Sequence, residues 1–479
     1  MVLSAALIGG LSSCSQEKPG GAGPTNGPAK PAAEAKPPGP PPGSIEIPLT
    51  YRGLTADTND FSASGYWGFQ APTNNEAPFL KAVSAKKEVL PVHNPYFKGR
   101  EFAAVEMQEG KPVALYFDAN ANGQAEDNER IPAVRETALS AYTQWFFVTP
   151  DFELASGESK VKFRAILQAL APRGGAQAVF SWSPACVLEG RTKVGGEEMA
   201  LALFADGFTG AFDHFGQGKF SLFPAALTNR QFVTRQTLSS LAQLNQNFYR
   251  LSLAGRGPDG HPTKLLLCPE TNLTGRVALT LEGCTGTNTG WARALLAGAS
   301  DPNLRLELEN LSALPGGSYR LENGTVRVEQ QATNWWFSFG QGPAITISNE
   351  TRLTLGHPQL RTRVRDANQG PAEAEKTTFA KGTWVVITAS LPGAAGELWE
   401  RFRFSSADAP AREISPQVRV TDEAGKEIQA QAMVRGAASV FEARWNTAGL
   451  PAGTYAIKVS QDTGPLAGLI ESPVKVTIE

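Results

Sequence analysis

Two stretches, Leu314-Pro-Gly-Gly-Ser-Tyr-Arg-Leu321 and Leu450-Pro-Ala-Gly-Thr-Tyr-Ala-Ile457, share the pattern Leu-Pro-x-Gly-Ser/Thr-Tyr-x-Leu/Ile. Pro presets φ for a turn, Gly supplies a backbone angle that other residues resist, and Tyr opens an alternating strand with its ring towards a core. A Pro-led strand follows each copy, Pro343-Ala-Ile-Thr-Ile347 in one case and Pro473-Val-Lys-Val-Thr-Ile478 in the other. The repeat predicts two small β-sandwich modules, at residues 301–360 and 375–479. The first is short for a complete sandwich and is expected to take strands from the unit before it.

Working outward, 48 Gly and 34 Pro among 479 residues, with frequent Val, Ile, Leu and Thr alternation, point to many short strands joined by tight turns. The expected fold class is mostly β and multidomain, with β-rich units at 44–170 and 171–300 ahead of the two modules. Strands are predicted at Pro112–Phe117, Met199–Phe204 and Thr263–Leu267, and a helix over Ala133–Phe147 from its length and Ala content. A weaker echo aligns Gly110–Asp127 with Gly196–Asp213 without a gap, which suggests a duplicated strand-loop unit. The Leu-Pro-x-Gly-Ser/Thr-Tyr motif itself resembles the late hairpin of bacterial immunoglobulin-like and prealbumin-like sandwiches.

At the other end, Leu11-Ser12-Ser13-Cys14 follows a short apolar run and precedes a stretch dominated by Gly, Pro, Ala and Lys. It resembles the lipobox of bacterial lipoproteins, although no Lys or Arg precedes the apolar run. The resemblance implies a signal peptide at 1–13, lipid on the thiol of Cys14 and an extracytoplasmic address. Ser15 rather than Asp after the Cys favours the outer membrane or surface over the inner membrane. Residues 14–43 then read as a tether, since such a composition buries no core.

Lys and Arg total 44 against 46 Asp and Glu, a net charge of −2, so no basic field draws in nucleic acid. No apolar run reaches the ~20 residues that span a bilayer, so membrane attachment rests on Cys14. Of the remaining cysteines, an oxidising compartment would pair the two nearest in sequence, Cys268 and Cys284, leaving Cys186 over. The alternative is three thiols that never pair.

The sharpest constellation is Asp118-Ala-Asn120-Ala-Asn122-Gly123-Gln124-Ala-Glu126-Asp127-Asn-Glu129. Oxygen-bearing side chains at 118, 120 and 122 can converge on one hard cation while Gly123 permits the bend. Gln124 would add its carbonyl, and Glu129 would close the sphere with two oxygens. Glu126 completes the candidate set. The spacing resembles an EF-hand calcium loop, and it implies weakly held structural calcium, with a dissociation constant of about 10⁻⁴ to 10⁻³ M. The flanks depart from that family: a strand enters the loop, Ala125 replaces the usual aliphatic residue, and Pro132 limits an exit helix. The competing reading is an Asn-Gly turn between two strands. The echo of the loop at Asp206–Asp213 lacks most ligand oxygens and reads as a degenerate turn.

Gly255-Arg-Gly257-Pro-Asp-Gly260 has the spacing of a dinucleotide fingerprint, but Pro258 and the strand that follows deny it a helix N-terminus. It reads as a hairpin loop. In Asn334-Trp335-Trp336-Phe337-Ser338-Phe339, alternation puts Trp335, Phe337 and Phe339 inside and Trp336 outside with Asn334 and Ser338. An outward Trp stacks on a sugar or a partner, unless a neighbouring module covers it. His261 and His357 each precede Pro, a turn context, and Glu397 and Glu400 flank Trp399. No nucleophile elbow, phosphate loop or His-Glu-x-x-His is present.

The sequence therefore points to a lipid-anchored extracytoplasmic protein for binding, adhesion or scaffolding, with one structural calcium. Its partner would be a glycan or another surface protein. The alternatives are an extracellular hydrolase acting on polysaccharide or peptide, with acidic residues in the second unit, and an accessory carbohydrate-binding lipoprotein using Trp336.

Overall fold

Tyr319 and Tyr455 begin the strands that the repeated motif requires, Gly317–Gln330 and Gly453–Asp462, and both rings are buried. The glycines that launch them, Gly317 and Gly453, have φ of +158° and +154°, so the two turns deliver their strands alike. These strands come from a computed structural model. It describes residues 42–57, 59–61, 67–68, 77–85, 87–98, 100–156, 159–172, 178–244, 247–309, 311, 313–368, 375–406, 409–436 and 439–479. The expected signal peptide, Cys14 and all but the last two residues of the 14–43 tether lie outside the described residues.

The fold is mostly β, built from several antiparallel sheets. Among the described residues the single α-helix is Pro78–Ser84, which lays Phe79, Leu80 and Val83 on Ala104 and Tyr116 of a four-stranded sheet. No helix among them is long and apolar enough to cross a membrane.

One large core runs from Ile47 to Leu267. Ile45–Pro48 pairs with Lys264–Glu270, Thr50–Gly53 with Cys186–Val194, and Trp67–Gly68 with Val179–Pro184. The strands on either side of residue 170 thus share sheets, so the expected division into units 44–170 and 171–300 does not describe the packing. The physical reason is that strands this short cannot cover a core alone, and each N-terminal strand completes a sheet begun much later in the chain. At the centre of the core, Phe97 meets Phe117, Phe152, Phe163, Trp182 and Phe208, all at edge-on or steeply tilted angles. Each such buried ring contributes on the order of 1.5–3 kcal/mol through removal from water.

The helix expected over Ala133–Phe147 is instead a hairpin, Arg135–Ala138 paired with Tyr142–Val148. Trp145, Phe146 and Phe147 are buried on successive positions because this strand has packing on both faces, which a one-sided helix would not offer. The Trp and Phe residues and Val148 outweighed the alanines.

A second core spans Leu241 to Ile478 and joins both C-terminal modules. Thr287–Gly298 pairs with Arg305–Leu308 and Gly317–Gln330, so the first module does take a strand from before residue 301. Its strand Thr333–Gln341 pairs directly with Leu398–Ser406, and hydrogen bonding continues from one module into the next. In the last module, the sheet of Trp384–Pro392 and Phe441–Asn446 faces that of Gln417–Thr421, Gly453–Asp462 and Leu469–Ile478. The Trp445 and Tyr455 rings meet between them at 5.5 Å. Arg361–Asp366 also belongs to this module, through its pairing with Trp384–Pro392.

The echo of Gly110–Asp127 in Gly196–Asp213 has a structural counterpart. Gly110 and Gly196 both take positive φ in hairpin turns, and each opens a strand, Lys111–Phe117 or Glu197–Phe204, that ends in the matched loop. Gly255–Gly260 lies in the connection between Asn247–Ala254 and Lys264–Glu270, the hairpin position expected of it.

Candidate functional site

Strand Lys111–Phe117 is buried over most of its length and delivers Asp118, itself 2 % exposed, to the start of the candidate metal loop. Its carboxylate folds the loop around itself: Oδ1 accepts the Asn122 N–H at 3.1 Å and Oδ2 the Gly123 N–H at 2.8 Å. Gly123 takes φ of +73° and Ala121 φ of +60°, the bend that glycine at this position was expected to allow. Asn120 Oδ1 accepts the Asn122 N–H, and Asn122 Oδ1 accepts the Gln124 N–H. The side-chain amides of Asn120 and Asn122 both donate to Glu126, at 3.1 Å each.

The loop exits through a short 3-10 turn, Asp127–Glu129, and then the strand Arg130–Pro132. Glu129 is 4 % exposed and turns back, accepting the Ala119 N–H at 3.1 Å and the Glu126 N–H at 3.3 Å. Burial, with Asp118 and Glu126 nearby, holds its carboxyl above the ordinary range. Asp118, Asn120, Asn122, Glu126 and Glu129 are therefore gathered in one hydrogen-bonded loop, with Gln124 exposed at its rim.

This donor set is all oxygen and suits a hard cation. A buried carboxylate at each end of the loop, both of one sign, is an arrangement that a divalent ion stabilises. Backbone N–H groups and the Asn amides hold the carboxylates here, and no tight group of three acidic, His or Cys side chains occurs among the described residues. Binding calcium would require Asn120 and Asn122 to turn their oxygens inward and Glu129 to release its amide partners.

Trp336 sits where alternation put it. Trp335, Phe337 and Phe339 are buried in the second core, while Trp336 is half-buried on the opposite face with Asn334 and Ser338. Strand pairing sets Trp336 directly between Arg327 and Arg403, both exposed. These flanking arginines escaped the sequence reading. The signal was present in Val326-Arg327-Val328 and Phe402-Arg403-Phe404, where an Arg interrupts an apolar run at strand period.

The expected Cys268–Cys284 disulfide is not formed, and both are free thiols. Cys268 lies on Lys264–Glu270 and accepts from the Ser44 hydroxyl at 3.3 Å, whereas Cys284 packs against the second core. The two belong to different packing environments. Cys186 is buried, and desolvation pushes its thiol up to about 12.

His261 is 2 % exposed, stacked on Tyr51 at 5.3 Å, with Nε2 2.6 Å from the Lys162 carbonyl. Burial lowers its pKa, which keeps the ring neutral. Trp399 and Glu397 are both fully buried, and Glu400 accepts from Ser439. The degenerate loop holds a pair that sequence reasoning missed: His214 Nδ1 lies 3.1 Å from Asp206 Oδ2, beside a cavity of about 250 Å³ lined in part by Ser156, Ser159 and Arg256. Two polar residues eight apart in a Gly-rich loop were the available clue. No protein-family model matches the chain, and no curated protein or solved structure matches it either.

Proposed function

We infer that the chain is a lipid-anchored extracytoplasmic protein that works by presenting a binding surface, with calcium stiffening the loop at Asp118. Lipid on Cys14 holds it to a membrane, the outer membrane by preference, and the Pro/Gly/Ala segment keeps the body at a distance. The two C-terminal modules are read as immunoglobulin-like or prealbumin-like sandwiches. The observation that carries the reading is the outward row of exposed Arg327, half-buried Trp336 and exposed Arg403 on a sheet that continues across both modules. A shared core beneath that sheet fixes the row in one geometry, which favours binding over mere spacing.

The test is mass spectrometry of the mature protein with fractionation of its cells. A diacylglyceryl-modified Cys14 at the new N-terminus, and release of a Cys14→Ser variant from the membrane fraction, are the expected results. A mature chain that keeps residues 1–13 and an unmodified thiol overturns the reading.

One observation favours the hydrolase alternative. The His214–Asp206 pair borders a polar cavity, an arrangement in which a carboxylate orients an imidazole for general-base work. Hydrolysis of polysaccharide or peptide substrates that is lost on His214→Ala would support it.

A further inference from the structure

We propose that the outward face of strands Gly317–Gln330, Thr333–Gln341 and Leu398–Ser406 binds an acidic polysaccharide, with the Trp336 indole stacked on one sugar and Arg327 and Arg403 holding sugar carboxylates on either side. The proposal deepens the binding reading by naming the ligand class, and it does not depend on the anchor.

Register fixes the row. Arg327 pairs with Trp336 and Trp336 with Arg403, so all three side chains leave the same face of adjacent strands. Adjacent strands lie about 4.8 Å apart, which sets the two Arg-bearing strands roughly 10 Å apart with the indole midway. A linear polymer crossing the strands meets a cation, an aromatic plate and a second cation in succession.

The charges on this face are unequal. Arg401 is held by Glu413 at 3.1 Å and Arg293 by Glu307 at 2.7 Å. Arg327 has only a neutral partner, since its Nε and Nη2 both donate to Asn334 Oδ1. Arg403 has no ion-pair or hydrogen-bond partner among the described residues. Two exposed guanidinium groups thus make no ion pair of their own among the described residues, one on each side of the indole, although Glu413, which Arg401 engages, is the cross-strand neighbour of Arg403. Guanidinium forks match carboxylates, and an amphipathic indole suits the apolar face of a sugar ring. The surroundings supply hydroxyls: Thr325 and Ser338, 2.9 Å apart, lie in the next row of the same face. Beyond Arg327, the paired residue is Gly290, where a Cβ would meet nothing within 4 Å, so this end of the row is open.

The experiment is affinity electrophoresis of the full chain in non-ionic detergent, through gels containing polygalacturonate, dextran, polyglutamate or oligo-dT. Retardation by polygalacturonate alone is expected. Trp336→Ala should weaken it about tenfold, the loss of one stacking contact, while Trp336→Phe keeps a good part of it. Arg327→Gln and Arg403→Gln, at exposed positions that leave the core intact, should each weaken it and together abolish it. Circular dichroism and melting curves establish that each variant is folded. No retardation by polygalacturonate, equal retardation by polyglutamate or oligo-dT, or folded Trp336→Ala behaving as wild type overturns the proposal. Because the assay reads only this face, a failed lipid test at Cys14 leaves its result intact, and a failed gel assay leaves the lipid test intact.

Discussion

Tyr319 and Tyr455 make the same hydrogen bond in their respective modules: each hydroxyl donates to the carbonyl of the proline four residues earlier, Pro315 at 3.0 Å and Pro451 at 2.8 Å. The Leu-Pro-x-Gly-Ser/Thr-Tyr motif is thus a closed device in which the strand's first aromatic pins the turn that launched it. Replacing Tyr319 by Phe leaves the buried Pro315 carbonyl short of its donor while preserving the ring's packing, whereas the carbonyl of the exposed Pro451 can take water in place of Tyr455. Tyr319→Phe should cost about 1–2 kcal/mol and Tyr455→Phe less, read as a lowered urea midpoint with unchanged slope.

Calcium should raise the melting temperature of the full chain, with half-saturation at about 10⁻⁴ to 10⁻³ M. The Asp118→Ala/Glu129→Ala variant should show no shift. A wild-type chain that melts alike in calcium and in chelator, or a double variant that still responds, would remove the ion from the loop.

The loop should also give a pH signature in chelator. Because the folded Glu129 carboxyl titrates above its ordinary value of 4.5, the folded chain holds a proton that the unfolded chain has already lost. Its contribution is therefore present below the ordinary value and disappears as pH rises through the folded one. Comparing wild type with Glu129→Gln across mildly acidic pH should show the wild type losing stability relative to the variant. A difference that stays constant with pH would contradict the assignment.

Gly464 takes φ of +49° and lies under the Trp335 indole, where a Cβ would come within 2.5 Å of the ring. Gly425 has φ of +79° but open space around it. Gly464→Ala should therefore cost more than Gly425→Ala, by roughly 1–3 kcal/mol of overpacking beyond the shared backbone strain. Chemical denaturation of the two variants side by side measures the difference.

Alkylation of the native chain should separate the thiols. Cys268 and Cys284, each partly accessible, should be modified by iodoacetamide, and Cys186 only after unfolding. Peptide mapping that finds Cys186 labelled as quickly as the others would contradict its burial.

Much of the β architecture was legible because period-2 alternation and turn chemistry are local. The inward Trp335, Phe337 and Phe339, the bend at Gly123 and the strands at Lys111–Phe117 and Glu197–Phe204 all follow from short windows. What escaped was non-local. Nothing near Ile45 announces its pairing with Leu267, and nothing near Trp336 announces Arg327 and Arg403 as neighbours. The hairpin at Arg135–Val148 was misread for a related reason, since burial on both faces removes the alternation that distinguishes a strand from a helix.

The bond from Ser44 to Cys268 joins residues 224 positions apart, and the strand that follows Ser44 finds its ladder there among the described residues. A chain emerging from its N-terminus has no completed first core until Glu270 has appeared. Folding of that half waits on the end of its own template, and loop closure of this length is slow. Such a polypeptide leaves its first core open through a long stretch of synthesis, while local hairpins such as Phe102–Gln108 with Lys111–Phe117 can already pair.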